Sequence, residues 1–257
     1  MKGGGRCARG VAPASADGPS RGIVPAARPA GQRARGGDVT ILKDMQATAA
    51  SIVAGLFRKP PPIADVAALA DFIDERAAFT VQKCIYEYSR ARSGTMSQKL
   101  FKEKGFLEAV DASRWLGYPM GLTDVSEAVL STLRDDGTTV GPDAVTGLIR
   151  TAQAITARYP VPEGFERDFW EKARVAVSDR LKRASLAPPR LVKDIPKDHA
   201  RAFFDNLPIH PELRKNDFEL IRNTLCANLC RISDDLSQRL DRPALVAALA
   251  AEGARAA

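Results

Sequence analysis

Between Pro211 and Asp241 the apolar residues Phe218, Ile221, Leu225, Leu229, Ile232, Leu236 and Leu240 recur at steps of three and four. That spacing puts them on one face of a single long helix. Beside them runs a second stripe, Asn223, Cys226, Cys230, Ser233 and Ser237, small enough to let another helix approach closely. A helix with such a face needs partners to bury it, so the chain is expected to be an all-α bundle.

The remaining segments repeat the pattern. Ile63 to Arg92 carries a core stripe of Val66, Ala70, Ile73, Ala77, Val81, Cys84, Ile85 and Tyr88, with Phe72, Phe79 and Tyr86 seven apart alongside. So wide an apolar face predicts a central helix. A third helix is expected from Phe106 to about Tyr118, interrupted by Pro119 and Gly121 and resumed from Thr123 to Leu133. Further helices are expected from Pro142 to Tyr159, Glu163 to Leu186 and Asp198 to Phe204, and Pro243 opens a final Ala-rich helix over 243–257. No segment alternates apolar and polar residues for long enough to predict a strand. The bundle is expected to span 63–241.

The first 60 residues differ in kind. Residues 1–39 are rich in Gly, Ala, Arg and Pro and nearly free of large apolar side chains, so they are expected to be a disordered tail. The same bias would arise if Met45, rather than Met1, were the true start. From Thr40, a plausible N-cap, an amphipathic helix is expected over 40–59, with Ile41, Leu42, Met45, Ala49, Ile52, Val53 and Leu56 on one side. Pro60, Pro61 and Pro62 end it as a stiff linker.

The chain has a formal net charge of +7, but the first 39 residues hold seven basic residues against two acidic ones. The rest is close to neutral, which argues against a nucleic-acid-binding face. Composition, 45% hydrophobic and 27% charged, is that of a globular protein. No apolar run approaches the ~20 residues that span a bilayer, and peripheral membrane contact through 40–58 stays open. Four cysteines in a large helical chain suit a reducing, cytoplasmic compartment.

Chemistry-bearing motifs are sparse. There is no G-x-S-x-G elbow, no phosphate-binding glycine loop and no set of four zinc ligands, so neither cofactor nor metal is expected. His210, held between Pro208 and Pro211, is a candidate general base, and Cys226 a candidate nucleophile. The two lie 16 residues apart in sequence, roughly 20 Å along a helix. His199, near a helix start, is expected to be solvated or to cap. Glu75, Arg76, Asp217, Arg222 and Asn223 are expected to form an interhelical polar network, Glu75 or Arg76 meeting Arg222 or Asp217.

The run Glu75-Arg-Ala-Ala-Phe-Thr-Val-Gln-Lys83 with Tyr86, Tyr88 and Arg92-Ser-Gly-Thr95, and the run Pro208-Ile-His-Pro-Glu-Leu213 with Asp217 and Ile221-Arg-Asn223, resemble an uncharacterised family of helical bacterial proteins. Some of its members are labelled esterases without a demonstrated mechanism. The resemblance covers about 63–240 and brings no catalytic residues with it. The function expected first is a non-enzymatic interaction or regulatory protein, with an unidentified protein partner reached through helix 40–58. The alternatives are an esterase-like hydrolase of non-standard architecture and a bundle holding a small apolar ligand near Tyr86, Tyr88 and Trp115.

Overall fold

Asp65 starts the first helix by accepting the Ala68 amide at 2.8 Å, which satisfies one of the amides a helix start leaves unpaired. This helix, α1 (Val66–Ser93), ends at Gly94, whose φ of +51° suits a residue without a side chain. A 3-10 turn (Gly94–Met96) and the single-turn α2 (Ser97–Leu100) lead into α3 (Lys104–Leu133). Then come α4 (Pro142–Thr156), α5 (Phe169–Leu186), a second 3-10 turn (Val192–Asp194) and α6 (Lys197–Asp205). The single-turn α7 (Pro211–Arg214), α8 (Phe218–Arg239) and α9 (Arg242–Ala254) complete the order. This computed structural model describes residues 61–134, 137 and 140–255. The expected tail, the expected helix over 40–59 and the choice between Met1 and Met45 lie outside them. Among the described residues there is no strand and the architecture is all-α. Ile63 and Leu240 form an isolated parallel bridge, in which the Ile63 amide donates to Arg239 O at 2.8 Å and the Asp241 amide to Ile63 O at 3.1 Å.

Three departures from the sequence expectation bear on the packing. The helix expected to break at Pro119 is one continuous α3. Proline removes one amide donor there, but Gly117, Tyr118 and every residue from Gly121 to Leu133 are buried, so packing outweighs the lost bond. Gly117 and Gly121 also leave no room for a Cβ: one would lie 2.9 Å from Val81 in either case. The helix expected to run unbroken from Pro211 to Asp241 is split into α7 and α8. Arg214 turns inward instead of continuing the stripe, and donates to the backbone oxygens of Ile209, Phe204 and Asp205, closing the end of α6. Finally, α5 begins at Phe169 rather than Glu163, because Gly164 sits at φ +83° in the preceding turn.

α3 packs against α1, α5 and α8, and α1 also meets α8. One apolar cluster joins Ile73, Leu122, Val129, Leu148, Leu181 and Leu229, among others. A second, around Cys84, Ile85, Phe203, Phe204, Ile221 and Leu225, fills the other end of α1 and α8. α4 and α9 touch backbone to backbone. A Cβ on Gly147 would lie 2.0 Å from Leu249 O, and one on Gly253 1.9 Å from Asp143 O.

Candidate functional site

The residues expected to form one polar network are divided among several. Arg76 donates to Asp235 at 2.7 Å rather than meeting Asp217 or Arg222. Asp217 accepts from Tyr88 Oη at 2.6 Å and from Arg92. Arg222 pairs with Glu219 on its own helix and reaches Asn223 at 3.5 Å, and Glu75 and Asn223 are exposed. The reason is the break after α7: it makes Asp217 the start of α8, facing the end of α1. Burial and the Asp217 hydrogen bond push the Tyr88 hydroxyl up to about 12.

The candidate base and nucleophile are not assembled into a site. His210 is exposed at the start of α7, where Nδ1 accepts the Glu212 amide at 3.3 Å. Cys226 is half-buried on α8, and burial raises its thiol above the ordinary value. Burial, with Glu87 second, pushes Cys84 up to about 12. A thiol held protonated is a poor nucleophile. Tyr86, Tyr88 and Trp115 are also separated. Tyr86 stacks on Phe101 at 5.7 Å, whereas Trp115 packs edge-on to Tyr159 and Trp170 at 5.9 and 6.0 Å. Trp115 does line a cavity of about 80 Å³ with Ala78, Gln82, Tyr118 and Tyr159. Beside it Asp74 accepts from Tyr118 at 2.5 Å, Tyr159 at 2.7 Å and Arg158 at 2.9 Å.

Two constellations emerge that the sequence did not announce. The first is an ionic chain linking α3, α5 and α6. Glu127, 1% exposed, pairs with Arg180, whose Nη1 lies 2.5 Å from Asp198. Arg190 bridges Asp198 at 2.8 Å and Glu127 at 3.7 Å. One turn along α3, Asp124 Oδ1 meets His199 Nδ1 at 2.8 Å. Contrary to expectation, His199 is thus a half-buried partner of a carboxylate. Three carboxyl groups face two guanidinium groups, and one proton held by the Asp124–His199 pair neutralises the chain; burial raises Asp124 against the pull of His199 and Arg180. Burial works against the imidazolium, but the hydrogen bond and charge of Asp124 outweigh it and hold His199 above 6.5. The adjoining cavity, about 20 Å³ between Thr80, Met120, Phe203 and Leu229, has space for little more than one water. The arrangement can hold a proton and lock three helices.

A group whose folded value is raised stabilises most below its unfolded value, and the benefit is lost as pH climbs through the folded value. Stability is therefore expected to decline from about pH 6.5 upward in the native chain and to be flatter in His199→Gln. Urea unfolding of both across that range reads the difference; parallel curves would show that His199 carries no such proton.

The second constellation is an open groove of about 130 Å³ between α1 and α8, lined by Arg76, Phe79, Thr80, Lys83, Asn228, Arg231 and Asp235. Phe79 is 54% exposed, and Lys83 Nζ lies 5.6 Å from its ring centre. No protein-family model, curated protein or solved structure matches this chain. Among the described residues no cluster of His, Cys, Asp and Glu is placed to hold a metal ion, and no helix is long and apolar enough to cross a membrane.

Proposed function

We propose that this chain is a non-enzymatic interaction protein, and that the α1–α8 face receives an acidic segment of a partner protein. One observation carries the reading. The half-exposed Phe79 stands in an open groove lined by Arg76, Lys83 and Arg231; Arg76 pairs with Asp235 and Lys83 with Glu87, which leaves Arg231 as the surplus cation. Exposed aromatic and arginine side chains are where interface binding energy concentrates, and a cation surplus selects acidic partners. The segment 40–58, expected from its sequence to be an amphipathic helix, is a second candidate contact element. The hydrolase reading has less support, because His210 uses Nδ1 on a backbone amide and, among the described residues, no serine hydroxyl or cysteine thiol is hydrogen-bonded to His199, which pairs with Asp124.

Replacing Phe79 with a photoreactive benzoylphenylalanine and irradiating native lysate tests the proposal. The expected result is a cross-link to one other protein, whose binding to the purified chain falls at least about tenfold in Phe79→Asp. Cross-links confined to the chain itself, whether to residues 40–58 or to a second copy, would overturn it.

A further inference from the structure

We infer that the floor of the α1–α8 groove is a carboxylate-binding subsite, an inference that rests on reading this face as the contact surface. Thr80 and Asn228 are each 7% exposed. Thr80 Oγ1 and Asn228 Nδ2 have no hydrogen-bond partner, and neither does Arg76 Nε, although Arg76 Nη2 is bonded to Asp235. Arg76 and Asn228 line this groove, and Thr80 stands between it and the small cavity beside His199. The amide and guanidine nitrogens can only donate, and the hydroxyl can. Buried polar groups in folded proteins are nearly always paired, so these donors are available to an acceptor entering the groove.

The charges specify which acceptor. Asp235 is compensated twice, by Arg76 at 2.7 Å and Arg239 at 3.4 Å. Lys83 is only loosely tied to Glu87, at 3.4 Å. Arg231 is exposed and enters no ion pair among the described residues. A neutral carbonyl would meet the donors but not pair with the Arg231 charge, whereas a carboxylate does both. At about 130 Å³ the groove is close to the ~150 Å³ cavity that holds benzene. A carboxylate on a ring or short apolar chain therefore fits, with Phe79 as its wall. The occupant is an acidic side chain of the partner protein; binding of a free small acid in its place is an outcome of the test.

Sodium benzoate titrated into the full chain at constant ionic strength, read in the Asn228 side-chain amide signals, tests the subsite. The expected result is a saturable shift with Kd of about 1 mM or tighter, weakened at least about tenfold in Arg231→Gln and in Asn228→Asp. Arg231 is exposed, so its variant keeps the test valid should Asn228→Asp fail to fold by circular dichroism. No saturable shift would mean that water meets these donors and would overturn the inference. Equal binding of benzamide would overturn the charge requirement, and stronger binding of inorganic phosphate the carboxylate. A peptide from the cross-linked partner that competes with benzoate through its Glu or Asp identifies the protein source; competition unchanged by Glu/Asp→Gln/Asn substitution in that peptide would overturn it. A partner cross-link without benzoate binding sinks the subsite alone, and benzoate binding without a partner sinks the interaction reading alone.

Discussion

Arg180→Met is expected to lower the unfolding free energy by about 3–5 kcal/mol, the usual cost of stripping one member from a buried ion pair. Glu127 is 1% exposed, and its remaining cation, Arg190, lies 3.7 Å away and is shared with Asp198. The deletion also frees one side of Asp198 and loosens the tie between α5 and α6. The double variant Glu127→Met with Arg180→Met removes both charges, and apolar replacements of similar size are often neutral or stabilising. It is expected to recover most of the loss, giving a coupling energy of about 2 kcal/mol or more in a double-mutant cycle by urea unfolding. Additive losses would show that the two charges act independently.

Gly147→Ala is expected to destabilise the protein by about 2 kcal/mol, although alanine is the better helix former by about 1 kcal/mol. The propensity gain is local. The clash is with the backbone oxygen of Leu249, 2.0 Å from the new Cβ, and a backbone atom cannot rotate away as a side chain can. α9 must therefore move as a body or detach. Hydrogen exchange separates this from a general weakening: amides over 242–254 should lose protection while those in the middle of α3 keep theirs. Gly253→Ala, 1.9 Å from Asp143 O, should produce the same pattern. A stabilised Gly147→Ala protein would mean that the two helices have room to spare.

The glycines show where sequence and structure part. Read along the chain, Gly147 and Gly253 are weak points in helical segments; only the crossing of α4 over α9 makes them contacts. The helices themselves were legible because Phe218, Ile221, Leu225, Leu229, Ile232 and Leu236 fall on one face, and all but the half-buried Phe218 are buried. Pro142 and Pro243 marked helix starts correctly. Pro119 misled, because burial on all sides of α3 outweighs one missing amide. Arg214 misled in the opposite sense: a charged residue in a helical pattern gave no sign that it would turn inward to close α6. Asp124 and Glu127 were hidden in plain view. Two acids three apart lie on one helix face, and in α3 that face falls within the wholly buried stretch Gly121–Leu133, which demands cations from elsewhere. Which cations, Arg180 and Arg190, and that His199 would join them, depends on how α5 and α6 dock, and no local pattern encodes that.

The bridge between Ile63 and Leu240 has a topological consequence. Arg239 reaches Pro61 O across 178 residues of chain, and α8 lies against both α1 and α3. The first and last thirds of the bundle are thus interleaved, not stacked in order. The stretch Leu186–Pro189 between them is exposed. A single cut there would leave Glu127 and Ile63 on one piece and Arg190 and Leu240 on the other, still gripping each other across the break. The molecule is thereby suited to division into complementing halves, each needing the other to close its share of the core.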